Sequence, residues 1–198
     1  MTRMFTSVTM MLAAACFVCS PVAADDHKDA HGDHSHAHAE VELPKLGIAV
    51  IVPTKGNKTR GTLRLMQKGG DLHITGKVRN LSEGEHGFHV HEFGDLRDMA
   101  EGKSAGGHFN PSGTDHGKPG HGHAGDLGNI TAGANGVANV DLTIKDTKLH
   151  FFLGRCFVVH ADRDDLTSQP SGNAGPRIGL GLIGVGNPDF KAAGKKNR

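Results

Sequence analysis

From residue 46 onward, apolar and polar positions alternate with a period of two. Leu63 and Leu65 alternate with Thr62 and Arg64 in the run 60–67, and Leu72, Ile74 and Val78 share one parity in 71–81. Such alternation predicts strands with one face buried and the other in water. Similar segments at 46–53 and 86–93 complete a first group, separated by turn signals at Asn57, Gly69-Gly70 and Ser82-Glu83-Gly84. Further strands are predicted at 137–144, 148–153, 155–160 and 177–185. Eight short strands joined by glycine-rich turns predict an all-β fold, an antiparallel sandwich or barrel.

The stretch from Phe93 to Gly128 breaks this pattern, with ten glycines and few large apolar residues. A loop this long inside a folded domain needs a function and a source of order other than a core. It carries His108, His116, His121, His123 and Asp126. Composition agrees: 29 glycines in 198 residues disfavour a helical bundle, and the length suits one modest domain, placed at 44–190. A net charge of +1 excludes the basic signature of a general nucleic-acid binder. The 15 histidines are the anomaly.

The first 24 residues read as a secretory leader: Arg3, an apolar run from Val8 to Val18, and small residues at Val22 and Ala24 before the cut. The run is too short for a membrane span, which needs about 20 apolar residues. The expected location is therefore secreted, periplasmic or extracellular. A lipoprotein-type cut at Cys16 is the disfavoured alternative, because the large residue of that signal sits one place too early. Residues 25–43 form a histidine-rich, acidic tract (His27, His31, His34, His36, His38) with almost nothing apolar, expected to be disordered and to capture metal. A basic tail follows at 191–198. Cys16 and Cys19 leave with the leader, so Cys156 remains alone and no intramolecular disulfide can form. From Pro44 onward the charge balance is +5, which favours encounter with small anions.

His89 and His91 lie one residue apart in a strand, so both rings leave the same face. Alone, such a pair is often no more than two solvent-facing rings. With His160, at the end of its own strand, and His108 from the loop, it makes four imidazoles, a set suited to copper or zinc. His108, His116, His123 and Asp126 make a second set, three imidazoles and a carboxylate, as in a closed four-coordinate zinc site. His121 competes with His123 for a place in it.

Five segments in order, GFHVHEFGD at 87–95, SAGGHFNP at 104–111, HAGDLGN at 123–129, VVHADRDDL at 158–166 and GNAGPRIG at 172–179, resemble copper/zinc superoxide dismutases over about 140 residues. The resemblance implies an eight-stranded antiparallel Greek-key β-barrel, and dismutation of superoxide to dioxygen and hydrogen peroxide by alternate reduction and oxidation of copper. It implies copper on His89, His91, His108 and His160, and structural zinc on His108, His116, His123 and Asp126, so that His108 bridges the two ions. His108 and Arg177 would be catalytic, the latter guiding the anion. Asp164 would link a copper histidine to a zinc histidine, and His86 would be structural. The family spacing selects His123 over His121. A homodimer, with one copper and one zinc per subunit, is likewise implied. The chain departs from the family where a disulfide normally ties the loop before SAG to the last strand: those positions are Gly102 and Leu180. The loop before Arg177 is short and has no lysine. The alternative is a secreted metal-handling protein with a catalytically silent barrel.

Overall fold

The computed structural model describes residues 42–190. The leader, the histidine-rich tract up to residue 41 and the tail at 191–198 lie outside the described residues. Strands run β1 (Leu46–Pro53), β2 (Arg60–Lys68), β3 (Asp71–Arg79), β4 (Gly84–His91), β5 (Asp126–Ala132), β6 (Val137–Ile144), β7 (Cys156–His160) and β8 (Arg177–Val185). They close into an antiparallel barrel in the order β1-β2-β3-β6-β5-β4-β7-β8. The joins of β3 to β6 and of β4 to β7 skip along the chain, which is the Greek-key connection. Among the described residues, no helix is long and apolar enough to cross a membrane.

Alternation delivers the core it predicts. Leu63, Leu65, Leu72, Ile74 and Val78 are all fully buried, and they meet Phe88 and Phe157, whose rings stack with centroids 5.1 Å apart. Two expectations fail. The run 148–153 is no strand: its middle, Leu149–Phe151, forms a single 3-10 turn that buries Leu149 and exposes His150 and Phe151. A continuous apolar run carries no parity, so its period could not be read. In its place β5 supplies the eighth strand, from the last three residues of the predicted loop and from 129–132, which no expected element covered. Gly128, at φ 78°, interrupts its pattern, and the strand opens on the buried carboxylate of Asp126. Two strands are also shorter or shifted against the expected 71–81 and 86–93, ending at Arg79 and His91.

Two long connections position the site, one from β4 to β5 and one from β7 to β8. The first lies over the outer face of the barrel wall, so that β4 and β7 are buried on both faces. Under it Ala105, Cys156, Val158 and Leu180 form a second apolar cluster, with Leu96 and Met99 packed against them. Part of the loop is therefore ordered by packing. Gly102 and Leu180, where the family would place its disulfide, are neighbours here, for a Cβ on Gly102 would stand 3.0 Å from Leu180 Cδ1. An apolar contact occupies the place of the covalent bond. Cys156 is a buried free thiol, pushed up to about 12 by burial.

Candidate metal centre

His89 and His91 leave the outer face of β4, as their parity requires, while Phe88 and Val90 point into the core. A register shift between Gly87 and His89 brings His89 opposite Asp126 on β5. Bulges of this kind bend a strand and re-aim its side chains. A second irregularity, between Val159 and His160, does the same at the end of β7. His108 comes to β4 through a bridge to His91, and the loop is zipped on by Phe109 N donating to Val90 O and Val90 N to Gly125 O. Gly125 is a requirement of that approach, since a Cβ there would overlap the Val90 carbonyl.

The eight ligand positions collapse into two groups. In each of them, His89, His91, His108 and His160, and His108, His116, His123 and Asp126, the candidate ligand atoms lie within 4.8 Å of one another, and every residue is buried. His108 belongs to both. His121, exposed and two residues from His123, belongs to neither.

In four of the six rings the outward nitrogen is committed. His91 Nδ1 donates to Gly106 O at 2.9 Å, and His160 Nδ1 to Gly175 O at 3.0 Å. His89 Nε2 and His116 Nε2 donate to the two oxygens of Asp164 at 2.7 and 2.9 Å. A carbonyl or carboxylate can only accept, so each of these nitrogens carries the hydrogen and its partner in the ring bears a lone pair. Those partners, His89 Nδ1, His91 Nε2, His116 Nδ1 and His160 Nε2, together with His108 Nε2, are buried with no hydrogen bond. His116 Nδ1 stands 3.0 Å from Asp126 Oδ2 but without hydrogen-bond geometry. Four of these orphaned nitrogens, on His89, His91, His108 and His160, belong to one group and the fifth, on His116, to the other, and a metal in each group would satisfy them.

Electrostatics supports the same picture. Burial, above all, pushes His89 down to about 4 and His160 down to about 3, and holds His91 well below its usual value. All three rings are thus neutral donors at physiological pH. Burial alone would raise Asp164, yet hydrogen bonds from His89, the Leu166 N–H and His116 outweigh it and keep the carboxylate ionised. Asp126 is likewise held low against burial by His108 and by the N–H groups of Gly117 and His123. Arg177 donates to Gly102 O at 2.6 Å and to Gly106 O at 2.7 Å, so the Gly106 carbonyl joins it to the ring of His91.

Some residues escaped the sequence reading. Asn129 clasps the backbone of Asp164, donating to its carbonyl at 2.9 Å and accepting from its N–H at 2.8 Å. Gly172, at φ 68°, backs the Asp164 and His116 pair, where a Cβ would overlap Asp164 Oδ1. Gln169 grips His116. None of these carries a spacing signal. The structural role of His86 is visible, for its Nδ1 donates to His160 O at 2.9 Å and ties β4 to β7. His73 and His150 stay outside the site, as expected.

A model of the copper/zinc superoxide dismutase family matches residues 59–183. A superoxide dismutase [Cu-Zn] from Arabidopsis thaliana is 44% identical over 158 residues, covering 73% of this chain and 95% of that protein. An extracellular superoxide dismutase [Cu-Zn] from Brugia pahangi is 41% identical over 152 residues, 70% of this chain and 75% of that one. Among solved structures, the clock protein EA4 superposes with a TM-score of 0.67 at 38% identity, covering 75% of this chain and 99% of its own.

Proposed function

The chain belongs to the copper/zinc superoxide dismutase family, and from that premise we propose that its joined histidine clusters convert two superoxide ions and two protons into dioxygen and hydrogen peroxide. Copper is held by His89, His91, His108 and His160, and zinc by His108, His116, His123 and Asp126. One observation carries the reading: the outward nitrogens of His89, His91, His116 and His160 are bound to oxygen, and the orphaned ones face inward. Four imidazoles fit copper, and three imidazoles with one carboxylate fit a closed zinc site.

Bound copper supplies a one-electron couple, and bound zinc a fixed, redox-inert charge. The chain's own residues do the rest. Arg177, half-buried with two N–H groups held by Gly102 and Gly106, keeps its remaining donors for an incoming anion. His108 presents Nδ1 to the Asp126 side and Nε2 to the four-histidine side, so it can hold a proton at Nε2 in one half-reaction and release it in the other. Asp164 keeps one ring of each set in place. Asn129, by fixing the Asp164 backbone, keeps that link from shifting.

Replacing His108 by Ala should abolish superoxide consumption and weaken zinc retention together, since one residue serves both sets. Metal content and superoxide decay measured on the same preparation test this. Unchanged activity would overturn the site assignment, and a wild type that binds both metals without consuming superoxide would favour a metal-holding role.

A homodimer is part of this proposal. Val50 and Leu182, 58% and 44% exposed, face outward from adjoining strands β1 and β8, and Gly94, next in the chain to the exposed Phe93, packs against Leu182. An apolar face of this kind on a secreted barrel is suited to a second copy of the chain. The leader sequence and the extracellular relative support export, which cleavage ahead of Asp25 would register at the mature N-terminus.

A further inference from the structure

We propose that Gln169 is a positioning residue for zinc, acting through the backbone of His116; this rests on the assignment of His116 as a zinc ligand. The His116 N–H donates to Gln169 Oε1 at 2.8 Å, and Gln169 Nε2 donates to His116 O at 2.9 Å. One side-chain amide thereby satisfies both backbone groups of a residue that lies in no strand. The ring of the same histidine is held by Asp164, from the same β7–β8 connection. His116 is thus gripped at its ring and at its main chain, and Gln169 sets where its Cα sits.

The grip comes from a stiff support. Asp165 Oδ1 accepts from the N–H groups of Thr167 and Ser168 at 2.9 and 2.8 Å. Gly172 N donates to Ser168 O at 2.7 Å, and Asp165 N to Gly172 O at 2.8 Å. Asn173 Nδ2 donates to Asp165 Oδ2 at 3.1 Å and to Ser168 Oγ at 2.9 Å. The turn that presents Gln169 is therefore closed on itself, and it is the turn of the shortened loop singled out in the sequence. Groups that orient a ligand without touching the metal commonly contribute about 10- to 100-fold to metal affinity. Gln169 makes no hydrogen bond to a residue of the four-histidine set, and the hydrogen bond between His89 and Asp164 does not run through it. Of the two sets, it touches the zinc one alone.

The test uses the full chain loaded with copper and zinc, and follows release of each metal to a chromogenic chelator. Gln169→Met, which keeps the length and loses both hydrogen bonds, should release zinc about 10-fold faster with copper release unchanged. Gln169→Glu keeps the acceptor, loses the donor, and should fall between. A variant that merely loosened the fold would shed both metals in step, so parallel loss overturns the proposal, as does an unchanged zinc rate in both variants. His116→Ala separates the two readings: if it fails to lower zinc content, the ligand assignment is wrong. If it lowers zinc while Gln169→Met does not, only the clamp is wrong.

Discussion

His121 and His123 both precede Asp126 by a few residues, and a single sequence offers either of them to a metal. Burial separates them. His123 is enclosed, its Nδ1 lies 3.4 Å from His108 Nδ1, and its N–H donates to Asp126 at 2.8 Å, whereas His121 is exposed. Replacing His123 by Ala should therefore loosen zinc by at least about 10-fold, while His121→Ala should leave zinc affinity within about twofold, as measured by chelator competition. The reverse ranking would mean that the wrong ring was assigned. The same scale explains what escaped notice. Asn129 and Gln169 act by clasping the backbones of Asp164 and His116, 35 and 53 positions away along the chain. An amide in a loop has no periodicity to betray it.

At the scale of elements, the loop from β4 to β5 divides into two parts with different sources of order. Residues 95–107 are tied to β8 by Arg177 and by the apolar cluster around Leu180, and Asp98 caps the N–H groups of Ala100, Glu101 and Lys103. Residues 110–125 contribute no large side chain to either apolar cluster and close on histidines and Asp126 instead. Chelation should therefore expose 110–125 to protease while 95–107 resists. It should also lower Tm by about 10 °C, the scale expected when a ligand at about 1,000 times its Kd is withdrawn from a domain this size. Reductant should leave Tm unchanged, since Cys156 has no partner among the described residues. Cleavage appearing first in 95–107 would show that the apolar contact does not hold that half. The element that escaped prediction, β5, belongs here too: its pairing with β4 is shifted to make room for His89, so it lacks the regular alternation that exposed β2 and β3.

For the whole molecule, closure of the barrel leaves an outward apolar face on β1 and β8, where Val50 and Leu182 are exposed. Because Gly94 packs so closely that a Cβ there would overlap Leu182 Cδ1, this face is continuous with the loop that Arg177 pins. The proposed subunit contact and the proposed anion guide would thus be linked through one short segment. The double change Val50→Glu and Leu182→Glu should turn a dimer into a monomer in analytical ultracentrifugation while copper and zinc contents stay unchanged, because neither residue reaches the metal groups. A wild type that sediments as a monomer at micromolar concentration would remove the dimer from the proposal.

The residue types and their order along the chain determined the class of fold and the chemistry of the site. Period-two alternation needs only neighbouring residues to express a buried face, and the types of donor atom already narrow the metals a site suits. That Cys156 stands alone among the described residues was equally legible, being a matter of counting. Tertiary structure alone decided which nitrogen of each ring faces inward, because that depends on acceptors such as Gly106 O, Gly175 O and Asp164 brought from other elements. It also turned the apolar run at 148–153 into a 3-10 turn and set Leu180 against Gly102. Each of these is a contact between segments far apart in sequence, where the outcome depends on which surfaces the closed barrel leaves facing one another.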